Sequence, residues 1–169
     1  NPNVRVSGGD ENYFALNGYE VMYGRDFNKL DVETGRNVCV LGNAVAEKLF
    51  SGNAAKAVDK VVSVDHIPYR VLAVLEEKGS SAFFNSGKTV IMPFNNIRRL
   101  YASQNSSFNI GVMVDDVKLI DVAVGEATGT FRPIRKLDVK EEDNFYVDKS
   151  DSVAASLINN LGFLEKGII

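Results

Sequence analysis

Tyr13-Phe-Ala-Leu-Asn-Gly-Tyr-Glu-Val-Met-Tyr-Gly-Arg-Asp-Phe27, a polar interval, and then Val38-Cys-Val-Leu-Gly-Asn-Ala-Val-Ala-Glu-Lys-Leu-Phe50 form the stretch on which the fold turns. From Asn37 to Leu41 nearly every side chain is apolar, the pattern of a strand covered on both faces, and Gly42 ends it. Asn43 is the expected cap of a helix running to about Phe50, in which Val45 and Leu49, and Ala46 and Phe50, stand four apart on the same side. Ser51-Gly52-Asn53 stops that helix. Upstream, Asn1 to Val6 reads as the end of a strand and Ser7-Gly8-Gly9-Asp10 as a turn. A short helical segment around Glu11 to Leu16 then offers Tyr13, Phe14 and Leu16 to the core.

Downstream, Val61–Val64 and Ile67–Leu75 are rich in β-branched residues and separated only by Asp65-His66, so they predict a hairpin. Pro68 stands at the start of the second strand, where a missing donor is tolerable. Thr89 to Met92 reads as a strand closed by Pro93, and Phe94 to Tyr101 as a short helix with Ile97, Leu100 and Tyr101 inward. Phe108, Ile110, Val112 and Val114 alternate with their neighbours, the period of a strand with one face in the core. Ile120, Val124, Ala127, Phe131 and Ile134 have helical spacing, with Pro133 expected to break the helix near Arg132. Asn144 to Asp148 is expected as a last strand, and Ser150 or Asp151 as the cap of a final helix holding Val153, Leu157 and Leu161. These elements predict an α+β fold.

At 169 residues, 45% apolar and 24% charged, the chain is long enough and apolar enough to bury a real core. Nineteen basic against 22 acidic residues give a formal charge of −3. No broad cationic surface follows, so nucleic acid is not an expected partner. The longest apolar runs fall far below the roughly 20 residues that cross a bilayer. The chain opens on Asn1 rather than Met and is expected to be a segment of something longer. Its single cysteine, Cys39, excludes an internal disulfide and reads as a small core residue.

Reactive constellations are scarce. Nucleophilic catalysis by Ser or Cys usually needs a histidine base, and the one histidine, His66, stands in the expected hairpin turn. No second His or Cys stands at zinc-ligand spacing. Asp26, Asp31 and Glu33 gather carboxylates near Gly35 but lack the alternating ligands of an EF-hand, so a polar connecting turn is the better reading. Ser51-Gly-Asn-Ala-Ala-Lys56 follows a helix rather than a strand and lacks phosphate-loop spacing. No cofactor, metal or catalytic residue is therefore assigned. Asn105-Ser106-Ser107 matches the glycosylation triplet and marks a polar loop. Arg98-Arg99 and Arg132, Arg135, Lys136 read as polar helix faces, and Lys140 to Asp143 as a solvated loop. In Gly79-Ser-Ser-Ala-Phe-Phe-Asn-Ser-Gly87, Phe83 and Phe84 are candidate partner contacts, set against the alternative that they fold back over the hairpin.

Taken in order, the Tyr13-Phe14 pair, the Gly24-Arg25-Asp26-Phe27 turn, the Val38–Leu41 strand and the helix ending in Leu49-Phe50 resemble the extracytoplasmic core domain of MacB-type, FtsX-like ABC transporter permeases. Tyr69-Arg-Val-Leu-Ala-Val-Leu-Glu76, with Ala73 where Gly is common, and Val90-Ile-Met-Pro93 continue the resemblance, as do the Phe108 alternation and Phe131-Arg-Pro-Ile-Arg135. The resemblance implies a porter-like mixed-sheet subdomain from 1–27 and 104–169 and an inserted β-rich, sabre-like subdomain from 28–103. A first helix and strand of the porter part are expected before Asn1.

It further implies a non-catalytic domain outside the cytoplasmic membrane, between two membrane helices of a longer protein. Such a domain relays ATP-driven movement of a permease dimer to a periplasmic adaptor or cargo. The implied partners are an ABC ATPase domain or subunit, a second permease copy and the adaptor. The cargo implied by the family ranges over macrolides, peptides and lipoproteins. The competing class is a periplasmic ligand- or peptide-binding module, which would need an apolar cleft with convergent polar groups. A hydrolase is disfavoured by the histidine count.

Overall fold

A computed structural model describes residues 4–76, 86–103 and 106–149 of the chain, which clusters into two compact units, Asn1–Val112 and Met113–Ile169. The first unit is built on a six-stranded sheet. Its strands are β1 (Arg5–Gly9), β2 (Val21–Gly24), β3 (Val38–Gly42), β4 (Val61–Val64), β5 (Ile67–Leu75) and β6 (Thr89–Pro93). The order is β1-β6-β3-β5-β2, with β4 also paired to β5. The sheet is mixed: β1 with β6 and β3 with β5 run parallel, whereas β3 with β6, β2 with β5 and β4 with β5 run antiparallel. Helices α1 (Tyr13–Leu16), α2 (Lys29–Glu33), α3 (Asn43–Leu49) and α4 (Phe94–Tyr101) connect it. The fold is therefore α+β, and β1 and β2, from the 1–27 stretch, are strands of the same sheet as β3 to β6.

Every residue of β3 is buried, as its unbroken apolar run requires when both faces are covered. Alternate residues feed two cores. Cys39, Leu41, Tyr69, Val71, Val90 and Met92 pack with Ala46 and Ala57. Val38, Val40, Leu72, Ala73, Leu75 and Ile91 pack with Phe14, Phe27 and Val32. Leu72 and Ala73 fall in the same core although adjacent, because Cys39 pairs with Val71 while Val40 pairs with Ala73. Leu72 is the extra residue of a β-bulge.

The hairpin forms as expected, with Val61 opposite Arg70 and Val64 opposite Ile67. Asp65 and His66 have φ of 50° and 65°, the left-handed pair that a two-residue hairpin turn demands. Several expectations are corrected. Ser7, Gly8 and Gly9 belong to β1, not to a turn. Glycine is needed there for proximity, since a Cβ on Gly9 would lie 2.5 Å from Cγ of Tyr13. Gly42, not Asn43, caps α3, and the Asn43 amide instead reaches Glu47 at 3.1 Å. In α4, Leu100 and Tyr101 are exposed and the buried residue is Asn96.

The 108–114 alternation forms no strand. Phe108, Ile110 and Val112 are exposed, and only Phe108 finds another ring, Phe94, at 5.5 Å. Period two states which residues share a side; a strand also needs a neighbour to take its hydrogen bonds, and none pairs with it among the described residues.

In the second unit, α5 (Ile120–Ile134) runs through Pro133 to its end rather than breaking near Arg132. That proline lacks the one donor of its own position, but the turn around it still closes, with Arg135 N–H donating to Phe131 O at 2.9 Å and Lys136 N–H to Pro133 O at 3.0 Å. Residues 144–148 are irregular rather than a strand. Side chains hold this stretch instead: Phe145 meets Phe131 at 5.5 Å between ring centroids, and Arg135 Nε donates to Asn144 at 2.9 Å. The expected helix from 151 lies outside the described residues.

Candidate functional site

The most highly connected polar feature is the crossover from β2 to β3, residues 24–37. It begins at the bulge. Gly24 has φ of +89°, and a Cβ there would lie 2.0 Å from the carbonyl oxygen of Leu72, so no other residue fits without displacement. The next amide, Arg25 N–H, donates to that carbonyl at 3.2 Å. Phe27 is then buried against Phe14, ring centroids 5.2 Å apart.

Asn28 opens α2 with a reciprocal cap. Its side chain accepts from Asp31 N–H at 2.8 Å, and the Asp31 carboxylate accepts from Asn28 N–H at 3.2 Å. The same carboxylate, wholly buried, receives Nη1 of Arg25 at 2.7 Å on one oxygen and Nη1 of Arg36 at 3.0 Å on the other. Burial alone would raise the Asp31 pKa. The Arg25 hydrogen bond, the Asn28 amide and the two guanidinium charges more than offset it and hold the carboxyl below its ordinary range.

A second knot follows. Asn96, fully buried at the start of α4, accepts from the Tyr69 hydroxyl at 2.9 Å. Its amide donates toward Gly35 O at 3.0 Å, Arg36 O at 3.2 Å and Asn37 Oδ1 at 2.8 Å. Arg99 Nη2 reaches Gly35 O at 3.2 Å. The loop between α2 and β3 is thereby fastened to β5 and α4, and every buried side-chain polar atom among the described residues has a partner.

The sequence candidates sort accordingly. Asp26, Asp31 and Glu33 do not converge: Asp31 is engaged by arginines and Glu33 pairs with Lys29 at 3.7 Å. Among the described residues no group of three His, Cys, Asp or Glu is placed to hold a metal ion. His66 is exposed in its turn. Cys39 is buried, and burial pushes its thiol up to about 12, which leaves it unreactive. Of the basic clusters, Arg99 serves the Gly35 loop, and Arg132 folds onto the carbonyls of Asp138 and Glu141 at 2.6 and 2.9 Å and onto the Asp143 carboxylate. Phe83, Phe84 and Asn105 lie outside the described residues. Asn96 was not singled out by sequence reasoning. Its only signal is an amide on the inward side of a short helix, which spacing alone does not distinguish from a solvated one. No helix among the described residues is long and apolar enough to cross a membrane.

The model of the MacB-like periplasmic core domain matches residues 1–130. The pyoverdine export ATP-binding/permease protein PvdT of Pseudomonas savastanoi pv. phaseolicola is 30% identical over 105 residues, 61% of this chain and 16% of that protein. The macrolide export ATP-binding/permease protein MacB of Rhodopseudomonas palustris is 22% identical over 162 residues, 96% of this chain and 24% of that protein. The chain thus spans a quarter or less of the length of these relatives. The crystal structure of the periplasmic region of MacB from Actinobacillus actinomycetemcomitans superposes with a TM-score of 0.64 at 21% identity, covering 89% of this chain and 63% of that one. The extracellular domain of the noncanonic ABC-type transporter YknZ from Gram-positive bacteria gives 0.63 at 22% identity, covering 78% and 64%.

Proposed function

The chain belongs to the MacB-like periplasmic core domain family, and from that premise we propose that it is the non-catalytic extracytoplasmic part of an ABC transporter permease, relaying movement driven by ATP hydrolysis elsewhere to the export or release of cargo. The family match over residues 1–130 carries this reading. The names of relatives, which are ATP-binding/permease proteins, support an ABC ATPase domain or subunit as the source of that movement. A sheet packed on both faces suits such a role, because close-packed interiors transmit displacement instead of absorbing it. A second permease copy and a periplasmic adaptor are the other proposed partners, and the proposed setting is the outer side of the bacterial cytoplasmic membrane. The cargo is an exported substance, of which the pyoverdine and macrolides in the relatives' names are examples.

The test is co-purification from native membranes of the full-length protein with this domain intact or deleted. An ATPase together with a partner lost on deletion is the expected result. Recovery of neither, with a small ligand or peptide retained by the isolated domain, would overturn the reading in favour of a binding module. Phe83 and Phe84 are the proposed partner contacts. Replacing both by Ser is expected to abolish partner recovery at unchanged melting temperature, and the opposite pattern assigns them to packing.

A further inference from the structure

Asn17 is the only asparagine of the chain that is followed by glycine, and the pair stands exposed just past the end of α1. That dipeptide carries a chemistry of its own. The backbone nitrogen that follows an asparagine can attack its side-chain carbonyl, and glycine brings no Cβ to obstruct the approach. Solvent water is the only co-reactant. The Gly18 nitrogen bonds to Cγ of Asn17 as it gives up its proton, the Cγ–Nδ2 bond breaks, and ammonia leaves with that proton. Water then opens the cyclic imide at either of its carbonyls, which returns an aspartyl or an isoaspartyl residue.

The fold holds the pair away from that step. Asn17 ends α1 with φ of −93° and ψ of 6°, so the Gly18 nitrogen nearly eclipses the Asn17 nitrogen and is turned away from Cβ. Gly18 N–H donates to Ala15 O at 3.1 Å and Asn17 Nδ2 donates to Tyr13 O at 2.8 Å, which engages both the attacking and the leaving nitrogen. Crowding adds nothing, since a Cβ on Gly18 would meet no atom within 4 Å. The restraint is conformational, and α1 supplies it. Phe14 seats the turn in the core, while Tyr19 donates its N–H to Phe14 O at 2.8 Å and stacks on Tyr13 with ring centroids 6.0 Å apart. We propose that Asn17-Gly18 is a site of spontaneous deamidation whose rate is set by opening of the α1 turn. Conversion reinforces that opening. A carboxylate cannot donate to Tyr13 O and sets a negative charge beside the carbonyls that end the turn. The isoaspartyl form also lengthens the backbone between Phe14 and Tyr19.

The experiment is peptide mapping by mass spectrometry after incubation of the intact chain at mildly alkaline pH, folded and in urea, with a blocked peptide of residues 13–20 as the unrestrained reference. Deamidation reads as a gain of about one dalton at Asn17, and chromatography separates the isoaspartyl from the aspartyl product. Conversion in the folded chain is expected to be slower than in urea or in the peptide by at least about tenfold. Tyr19→Ala removes the stack on Tyr13 and is expected to raise the folded rate severalfold towards that of the peptide. Phe14→Ala is the second variant, and circular dichroism shows which of the two is folded, so that a folding failure of one leaves the other to decide. The converted chain, isolated by anion exchange, is expected to melt at a lower temperature than the unconverted one. No conversion at Asn17 in urea, equal rates in the folded and urea-treated chain, or an unchanged rate in a folded variant would each overturn the proposal.

Discussion

Asp31 concentrates more consequence than any other single residue of the crossover. Its folded pKa lies below the unfolded value near 3.8, so its contribution to stability is fully present above that value. It is lost as pH falls through the lower folded value. Acid unfolding monitored by circular dichroism is expected to show this limb below pH of about 4, flattened in Asp31→Asn. That variant leaves the two arginines without an anion, but both are half-exposed and rehydrate, so a loss of roughly 2–3 kcal/mol is expected in urea titration, below the full cost of orphaning a buried pair. Asn96 has no such relief. Asn96→Leu takes the acceptor from the buried Tyr69 hydroxyl and the amide donor from the buried Gly35 carbonyl, and is expected to cost about 3 kcal/mol. Adding Tyr69→Phe should recover part of that loss, which a double-mutant cycle reads directly.

Among the elements, two turns respond in opposite directions to substitution. Gly24→Ala places a methyl against the Leu72 carbonyl in a left-handed backbone and is expected to destabilise by about 3 kcal/mol or more. In the β4–β5 hairpin, Asp65 and His66 already occupy left-handed φ, so the pair Asp65→Asn and His66→Gly is expected to stabilise by about 1 kcal/mol in thermal melts. The hairpin, β3, β6 and α4 were legible because each combines a strong pattern with punctuation: Asp65-His66, Gly42 and Pro93 stand where the elements meet. The Gly8-Gly9 pair misleads because glycine in a strand marks close approach as readily as a turn, and nothing local says that Tyr13 and Ile97 lie over it. The Asp31 knot was hidden for a related reason. Three charged residues in a polar interval look solvated until the fold brings Arg25 and Arg36 to one carboxylate.

At the scale of the whole molecule, the described residues of the two units carry different amounts of core. The Asn1–Val112 unit has two apolar clusters, one on each face of its sheet, whereas α5 in the Met113–Ile169 unit has no buried residue. Hydrogen exchange is expected to show β3 and β5 as the slowest amides and α5 as at least tenfold faster, its opening having less apolar burial to oppose it. Membership of the family was readable from the order of motifs along the chain, because each motif marks one joint of the sheet. The fate of the Phe108 alternation was not, since pattern fixes phase and leaves the neighbour unspecified. The bulge at Leu72 extends that point. It is a phase slip within β5: Val71 and Val74 serve one core, while Leu72, Ala73 and Leu75 serve the other. Removing Leu72 restores strict alternation and leaves Ala73, Val74 and Leu75 on their present sides, whereas loss of one residue between two anchored neighbours elsewhere in the strand reverses everything beyond it. What that deletion discards is the carbonyl on which Gly24 and Arg25 rest. A length change at this position is therefore parity-neutral for both cores, and its effect is concentrated on release of the crossover.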